Sequence, residues 1–154
     1  MERQACITEK VRQFYEEMPF NYTDSEPFLV QSIKGQNAIQ TPYPDLDRVL
    51  AGGKICGVLD VGCGTGWFVN AVAFHYGIDA VGVDFCGKAL QTARSVTQLL
   101  GLQALVRYVE SDLFRFRERQ FRLVNSLGVL HHTHNCQEAL RHVASLVEPG
   151  GYLH

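Results

Sequence analysis

No stretch of this chain is apolar for long enough to cross a bilayer, and no short apolar core behind a basic start marks a secretory leader. Charge of either sign is also in short supply. The 14 Lys and Arg against 16 Asp and Glu leave a formal net charge of −2 and a pI near 6.3, which gives no electrostatic reason to expect a nucleic-acid backbone or an anionic membrane as partner. Five cysteines, at positions 6, 56, 63, 86 and 136, form no C-x-x-C pair and leave an odd one over. The expectation is free thiols in a reducing cytoplasm. Metal signatures are missing too, since neither H-E-x-x-H nor a finger-type spacing occurs. What remains is ordinary for one soluble domain with a real core: 154 residues, 46% hydrophobic and 19% charged, with too little chain for two domains.

The chain is organised around Val58-Leu59-Asp60-Val61-Gly62-Cys63-Gly64-Thr65-Gly66. Val58, Leu59 and Val61 suit a buried strand, and the alternating glycines let the backbone turn tightly and approach a ligand. Trp67 to Tyr76 follows with a helical pattern, so the unit reads as the first strand, loop and helix of a doubly wound nucleotide-binding sheet. A dinucleotide loop has the form G-x-G-x-x-G and seats a pyrophosphate at a helix N-terminus. Here the third glycine comes one residue early, at Gly66, and Trp67 stands in its place. Asp60 would repel a pyrophosphate but suits a ligand with an ammonium or sulfonium charge, and S-adenosylmethionine carries both. The early glycine and Asp60 together oppose a nicotinamide-dependent oxidoreductase, which NADH fluorescence would reveal by saturable enhancement.

The stretch Leu59 to Gly66 resembles motif I of the class I S-adenosylmethionine-dependent methyltransferases. The similarity continues through Val81-Gly82-Val83-Asp84, Glu110-Ser111-Asp112, Leu127-Gly128-Val129-Leu130-His131-His132-Thr133 and Glu148-Pro149-Gly150-Gly151, in the family's order from about residue 55 onward. The Gly128-Val129-Leu130-His131-His132-Thr133 segment resembles the family's motif IV and favours the branch that methylates small metabolites such as quinone precursors or lipids; the D-P-P-Y or N-P-P-Y segments of nucleic-acid branches are missing. The resemblance implies an α/β, Rossmann-like parallel sheet with strand order 3-2-1-4-5, S-adenosyl-L-methionine as cofactor and a small-molecule methyl acceptor. It also implies N-terminal helices that cover the cofactor and help to form the acceptor pocket.

In chain order, Ile7, Val11, Phe14, Tyr15 and Met18 recur at helical intervals and Pro19 ends the pattern. Ser25 before Glu26-Pro27 predicts the start of a second helix, and Leu46, Val49 and Leu50 share a face of a third, closed by Gly52 and Gly53. Residues 1–53 are read as a helical cap, either a lid over the cofactor or a set of helices packed on one edge of the sheet, and 54–154 as the cofactor-binding domain. Strands are expected at 80–84, 105–109 and 121–127. Between them lies a helix with Ala89, Ala93, Val96 and Leu100 on one face, ending at Gly101. After the fourth strand a helix turns Ala139, Leu140, Val143, Ala144 and Val147 inward, Pro149-Gly150-Gly151 stops it, and Tyr152-Leu153-His154 begins a fifth strand. Such alternation means right-handed crossovers and a ligand outside the carboxyl ends of the strands. The complete family fold has seven strands, so strands 6 and 7 are expected to be missing and the edge bare. Either the chain is a truncated form of a longer enzyme, or a partner or dimer mate supplies the edge.

Asp84 ends the second strand 20 residues after Gly64, where an acid can accept hydrogen bonds from ribose hydroxyls; an N-cap role suits it less, because the next helix starts near Gly87. The resemblance implies that Asp112 meets the adenine amino group with Leu113 beside it, although Ser111-Asp112 is also a capping signal. Its full implied cofactor site is Asp60, Gly62, Cys63, Gly64, Thr65, Gly66, Asp84, Phe85, Ser111, Asp112, Leu113 and Leu127. Tyr15, Tyr22, His131 and His132 are candidates for the acceptor pocket. His131-His132-Thr133-His134 with Cys136 offers several metal ligands, but adjacent histidines on a short loop do not point at one ion, so no metal site is expected. His132 or His131 is the candidate base if the acceptor must lose a proton; the alternative is that each only shapes the pocket. The basic run from Arg115 to Arg122 reads as a solvated crossover rather than an RNA-binding patch. A non-catalytic module that keeps the cofactor site is the second reading of the whole chain.

Overall fold

The computed structural model describes residues 13, 14, 17, 25–35 and 38–154. Five parallel strands form one sheet in the order β3-β2-β1-β4-β5: β1 Val58–Val61, β2 Ala80–Asp84, β3 Val106–Glu110, β4 Phe121–Asn125 and β5 Val147–Leu153. The described helices are α1 Glu26–Lys34, α2 Pro44–Ala51, α3 Trp67–Tyr76, α4 Gly87–Leu100 and α5 Cys136–Ser145, with a 3-10 turn at Leu130–His132. This is the Rossmann-like sheet and strand order that the motifs imply.

Alternate residues of the strands enter two cores, one on each face of the sheet. Val58, Ala80, Val106 and Leu123 face a core closed by α1 to α4, while Leu59, Val61, Val81, Val83 and Val124 face one that includes Val143 of α5. Burial on both faces explains why β1 and β2 read as continuous apolar runs rather than alternating ones. Leu29, Ile33, Leu46 and Leu50, from the region before residue 53, share the first core with the sheet. Ser25 caps α1, its hydroxyl accepting from the Phe28 N–H, with Pro27 in the first turn as expected. The helix expected over residues 7–18 lies outside the described residues except at 13, 14 and 17, which are helical; Phe14 is exposed.

The second half of the chain departs from expectation at the junction of α5 with β5 and at the end of β4. Helix α5 ends at Ser145 and β5 already begins at Val147, so Pro149-Gly150-Gly151 lies inside the strand and does not stop a helix. The register jumps there, from Phe121 opposite Val147 to Leu123 opposite Tyr152, which marks a bulge. Gly151 is required by close approach: a Cβ there would sit 2.7 Å from the Arg122 carbonyl oxygen and 2.9 Å from that of Glu148. Because α5 is shorter and only Ala139 and Val143 are buried on it, Leu140 and Ala144 face outward rather than in. Strand β4 likewise stops at Asn125, two residues early.

Candidate active site

Both ends of the glycine loop are tied down by neighbours in the sheet. The Gly62 and Cys63 N–H groups donate to the Val83 carbonyl at 2.7 and 3.0 Å, and the Gly64 N–H donates to Asp84 Oδ2 at 2.8 Å. Asp84 Oδ1 accepts from the Cys86 N–H at 2.8 Å, so each carboxylate oxygen keeps lone pairs for a ligand. Burial pushes its pKa up against those N–H bonds. The N-cap of α4 is Cys86, so Asp84 is not that cap. Gly62, Gly64 and Gly66 have φ of +77, +51 and +77, the left-handed region that glycine enters without steric cost.

Gly66 does not face the cleft; it caps α3 and rests on a buried polar strut. Asn70 Nδ2 donates to the Gly66 carbonyl at 2.9 Å and to Tyr108 Oη at 2.8 Å. Thr97 Oγ1 donates to Asn70 Oδ1 at 2.8 Å and lies 3.0 Å from Tyr108 Oη, so the Tyr108 proton goes to Thr97. Asn70 and Thr97 are buried. Tyr108→Phe removes a shared partner of both and is expected to destabilise the chain by about 1 to 3 kcal/mol. Urea unfolding that gives the wild-type midpoint would remove this role of the strut.

The loop opens on a cleft of about 370 Å³, of a size that suits a nucleoside ligand. Asp60, Gly62, Cys63, Gly64, Thr65, Asp84, Phe85, Ser111, Asp112, Leu113, Leu127 and His132 all line it, whereas Gly66 and His131 do not. The His131 ring packs against His132, with centroids 3.9 Å apart. Tyr15 and Tyr22 lie outside the described residues. Asp112 Oδ1 accepts from the Phe114 N–H at 2.8 Å, closing a turn rather than capping a helix, and His134 packs on the Phe114 ring. Among the described residues no group of three or more His, Cys, Asp or Glu is placed to hold a metal ion.

The floor of the cleft contains residues that sequence reasoning missed. Strand pairing sets Tyr108, Gly82, Asp60 and Asn125 side by side on one face of the sheet, and the backbone bonds of His154 continue that row beyond β5. Asn125 Nδ2 donates to Asp60 Oδ1 at 2.6 Å, and Asn125 Oδ1 pairs with His154 Nδ1 at 2.7 Å. Burial raises the Asp60 carboxyl to about 7, helped by the Asp84 charge and opposed by the Asn125 bond. The only sequence signal was a polar residue, Asn125, ending an apolar strand. Burial, Asp60 and Asp84 also hold the Cys63 thiol protonated, so it is no nucleophile.

The charge of the cleft is one-sided. Asp60, Asp84 and Asp112 face it, and no Lys or Arg does among the described residues. This donor set fits a ligand that carries positive charge and two ribose hydroxyls, such as S-adenosylmethionine, better than a pyrophosphate. Three of the four arginines of the 115–122 run are engaged elsewhere: Arg117 donates to the Phe114 and Phe116 carbonyls, Arg119 lies over the Phe121 ring, and Arg122 reaches the Pro149 carbonyl.

Comparison with known proteins agrees with this geometry. A family described as "Methyltransferase domain" matches residues 59–154. The chain is 34% identical over 97 residues to the ubiquinone biosynthesis O-methyltransferase of Bordetella avium, covering 62% of this chain and 40% of that protein. It is 31% identical over 99 residues to the human probable tRNA methyltransferase 9B, covering 62% and 20%. An S-adenosylmethionine-dependent methyltransferase from Thiobacillus denitrificans, solved in complex with S-adenosylhomocysteine, superposes with a TM-score of 0.61 at 20% identity, over 80% of this chain and 52% of that one. The chain thus spans less than half the length of these two curated relatives. With the five-stranded sheet, the glycine loop and the acid-lined cleft, the match over most of its length shows that this chain belongs to the S-adenosylmethionine-dependent methyltransferase-domain family.

Proposed function

We propose that the chain binds S-adenosylmethionine in this cleft and transfers its methyl group to a small, uncharged acceptor. The observation that carries the reading is two carboxylates, buried Asp60 and partly buried Asp84, beside a glycine loop in a cleft that no described Lys or Arg faces. Asp84 holds the ribose hydroxyls, Asp112 and Leu113 the adenine, and Asp60 with the Gly62 to Thr65 loop the ammonium end. Phe85, Ser111 and Leu127 line the same path. When bound, the cofactor supplies a methyl carbon already activated by its sulfonium. The protein's part is alignment of the acceptor and exclusion of water. His132 shapes the acceptor end of the cleft, with Tyr15 and Tyr22 of the 1–53 cap as further pocket candidates.

An RNA acceptor is disfavoured by the acidic lining and by the engagement of Arg117, Arg119 and Arg122, although one relative is named for tRNA. No described helix is long and apolar enough to cross a membrane. The four described cysteines are free thiols, in keeping with a reducing cytoplasm. The outer edge of β5, where Tyr152 and Leu153 are exposed, is the surface through which a second copy or further strands would pair.

Isothermal titration with S-adenosylmethionine and S-adenosylhomocysteine tests the reading. Saturable, micromolar binding is expected, and Asp84→Ala is expected to weaken it at least tenfold by removing both the ribose contacts and the anchor of Gly64. A folded chain that binds neither compound, or that instead enhances NADH fluorescence, would overturn the proposal.

A further inference from the structure

We propose that His154 takes the proton from a hydroxyl acceptor, and that Asn125 and Asp60 hold it in the form able to do so. The inference rests on the reading of the cleft as a methyl-transfer site. It starts from the order of hydrogen bonds across the sheet. Asp60 is buried, and once ionised its carboxylate can only accept, so the side of the Asn125 amide facing it is the NH2 group. The amide oxygen is therefore turned toward His154, and Nδ1 of that ring must donate to it across 2.7 Å. A neutral imidazole that donates through Nδ1 carries its lone pair on Nε2. No described residue bonds Nε2, and His154 lines the cleft.

Position agrees with this assignment. Phe85, Ser111, Asp112 and Leu113 line the nucleotide end of the cleft, beyond β2 and β3. His154 follows β5, at the opposite edge of the sheet, where Tyr43 also lines the cleft and packs edge-on against it with centroids 5.0 Å apart. Tyr43 on one side and Asn125 on the other limit rotation of the ring. His132, by contrast, sits in an exposed 3-10 turn with its ring against His131.

The chemistry also selects the acceptor. With no Lys or Arg among the described lining residues, nothing there would stabilise an acceptor that arrives as an anion, so the proton must leave during transfer. The acceptor oxygen forms its bond to the methyl carbon, the carbon–sulfur bond breaks with its electron pair left on sulfur, and the hydroxyl proton passes to His154 Nε2. The imidazolium so formed keeps its Nδ1–H bond to Asn125, and its charge is balanced by Asp60 at the far end of the amide. It then loses the proton to solvent, which reaches His154.

Two measurements test this. In histidine-labelled chain, at a pH above about 7 where Asp60 is ionised, long-range proton–nitrogen spectra are expected to show His154 as the Nδ1–H form, and Asn125→Ala is expected to abolish that preference. A wild-type His154 in the Nε2–H form would overturn the proposal without any acceptor being known. Next, release of S-adenosylhomocysteine is followed with a panel of simple phenols and enols. His154→Gln is expected to lower kcat at least ~100-fold while the Kd for S-adenosylmethionine stays within about twofold. His132→Gln is expected to act mainly on the acceptor KM. Equal kcat for His154→Gln and wild type overturns the assignment, and so does a chain that binds the cofactor yet methylates no hydroxyl in the panel. A chain that binds no S-adenosylmethionine at all would instead sink the reading of the cleft, while the tautomer measurement still decides the arrangement of His154.

Discussion

Gly66→Val is expected to abolish S-adenosylmethionine binding and to unfold much of the chain at ambient temperature. At φ +77 an L-residue pays roughly 1 to 2 kcal/mol in backbone strain, and a β-branched one more. The Cβ would also lie 2.4 Å from Tyr108 Oη and 2.9 Å from Ala93 Cβ. Neither neighbour can yield, because Tyr108 is bonded to both Asn70 and Thr97 and Ala93 is fully buried on α4. Forced repacking of that kind costs a further ~1 to 3 kcal/mol before the two valine methyls are placed. The sum is a large share of a stability of roughly 5 to 15 kcal/mol. Gly64→Ala is the informative partner. Its φ is +51 but a Cβ there meets nothing within 4 Å, so only the backbone cost of about 1 kcal/mol applies. Chemical unfolding and titration of both variants check this, and a Gly66→Val chain with wild-type midpoint and affinity would refute the account of the loop.

Affinity for S-adenosylmethionine is expected to rise with pH and level off above about pH 7, falling up to tenfold for each unit below that, because only ionised Asp60 attracts the ligand's positive charge. Stability of the unliganded chain should run the other way. The Asp60 carboxyl is raised from 3.8 to about 7 on folding, so between those values the native chain holds a proton that the unfolded chain has released. Its contribution is therefore fully present below about pH 4 and is lost as pH rises toward 7, on the order of 4 kcal/mol in all. Asp84 is raised in the same direction and adds to the trend. Asp60→Asn keeps the shape and an oxygen for Asn125 but cannot ionise. It is expected to flatten most of the stability profile and to weaken binding above pH 7 while removing the dependence below it. Titrations and melting curves across about pH 5 to 9 decide the matter. A binding curve that is flat in the wild type would mean that Asp60 never meets the ligand's charge.

The two effects share one residue and pull in opposite directions. A buried acid that folding prefers neutral becomes useful when a cationic ligand arrives, so ligand binding should release the proton that the empty site retains. The same ionisation is what turns the Asn125 amide so that its oxygen faces His154.

Local chemistry made the nucleotide half of the site legible. The apolar run into Gly62, Gly64 and Gly66, the acid ending β2, and the period of α4 each depend on residues within a few positions of one another, and strand, turn and helix propensities act over that range. The early third glycine sufficed to separate this loop from a dinucleotide one. The misreading at Pro149-Gly150-Gly151 has the opposite origin. Those residues look like a helix stop in isolation, and become a bulged strand only because the β4 backbone passes within reach of Gly151.

The acceptor half was decided by tertiary structure. Asp60 and Asn125 are 65 residues apart and Asn125 and His154 are 29 apart, yet the parallel register of β1, β4 and β5 sets them in one row. Nothing local marks His154, which would pass for one more strand residue. Gly66 was legible as a loop glycine, but that it is braced by Asn70, Thr97 and Tyr108 rather than exposed to the ligand follows from packing across three elements. The chemical class of the ligand was thus written into short-range pattern, since a turn and a charge are enough to specify it. The proton path depends on side chains that meet only when the sheet closes, because hydrogen bonds act over 3 Å and take no account of distance along the chain.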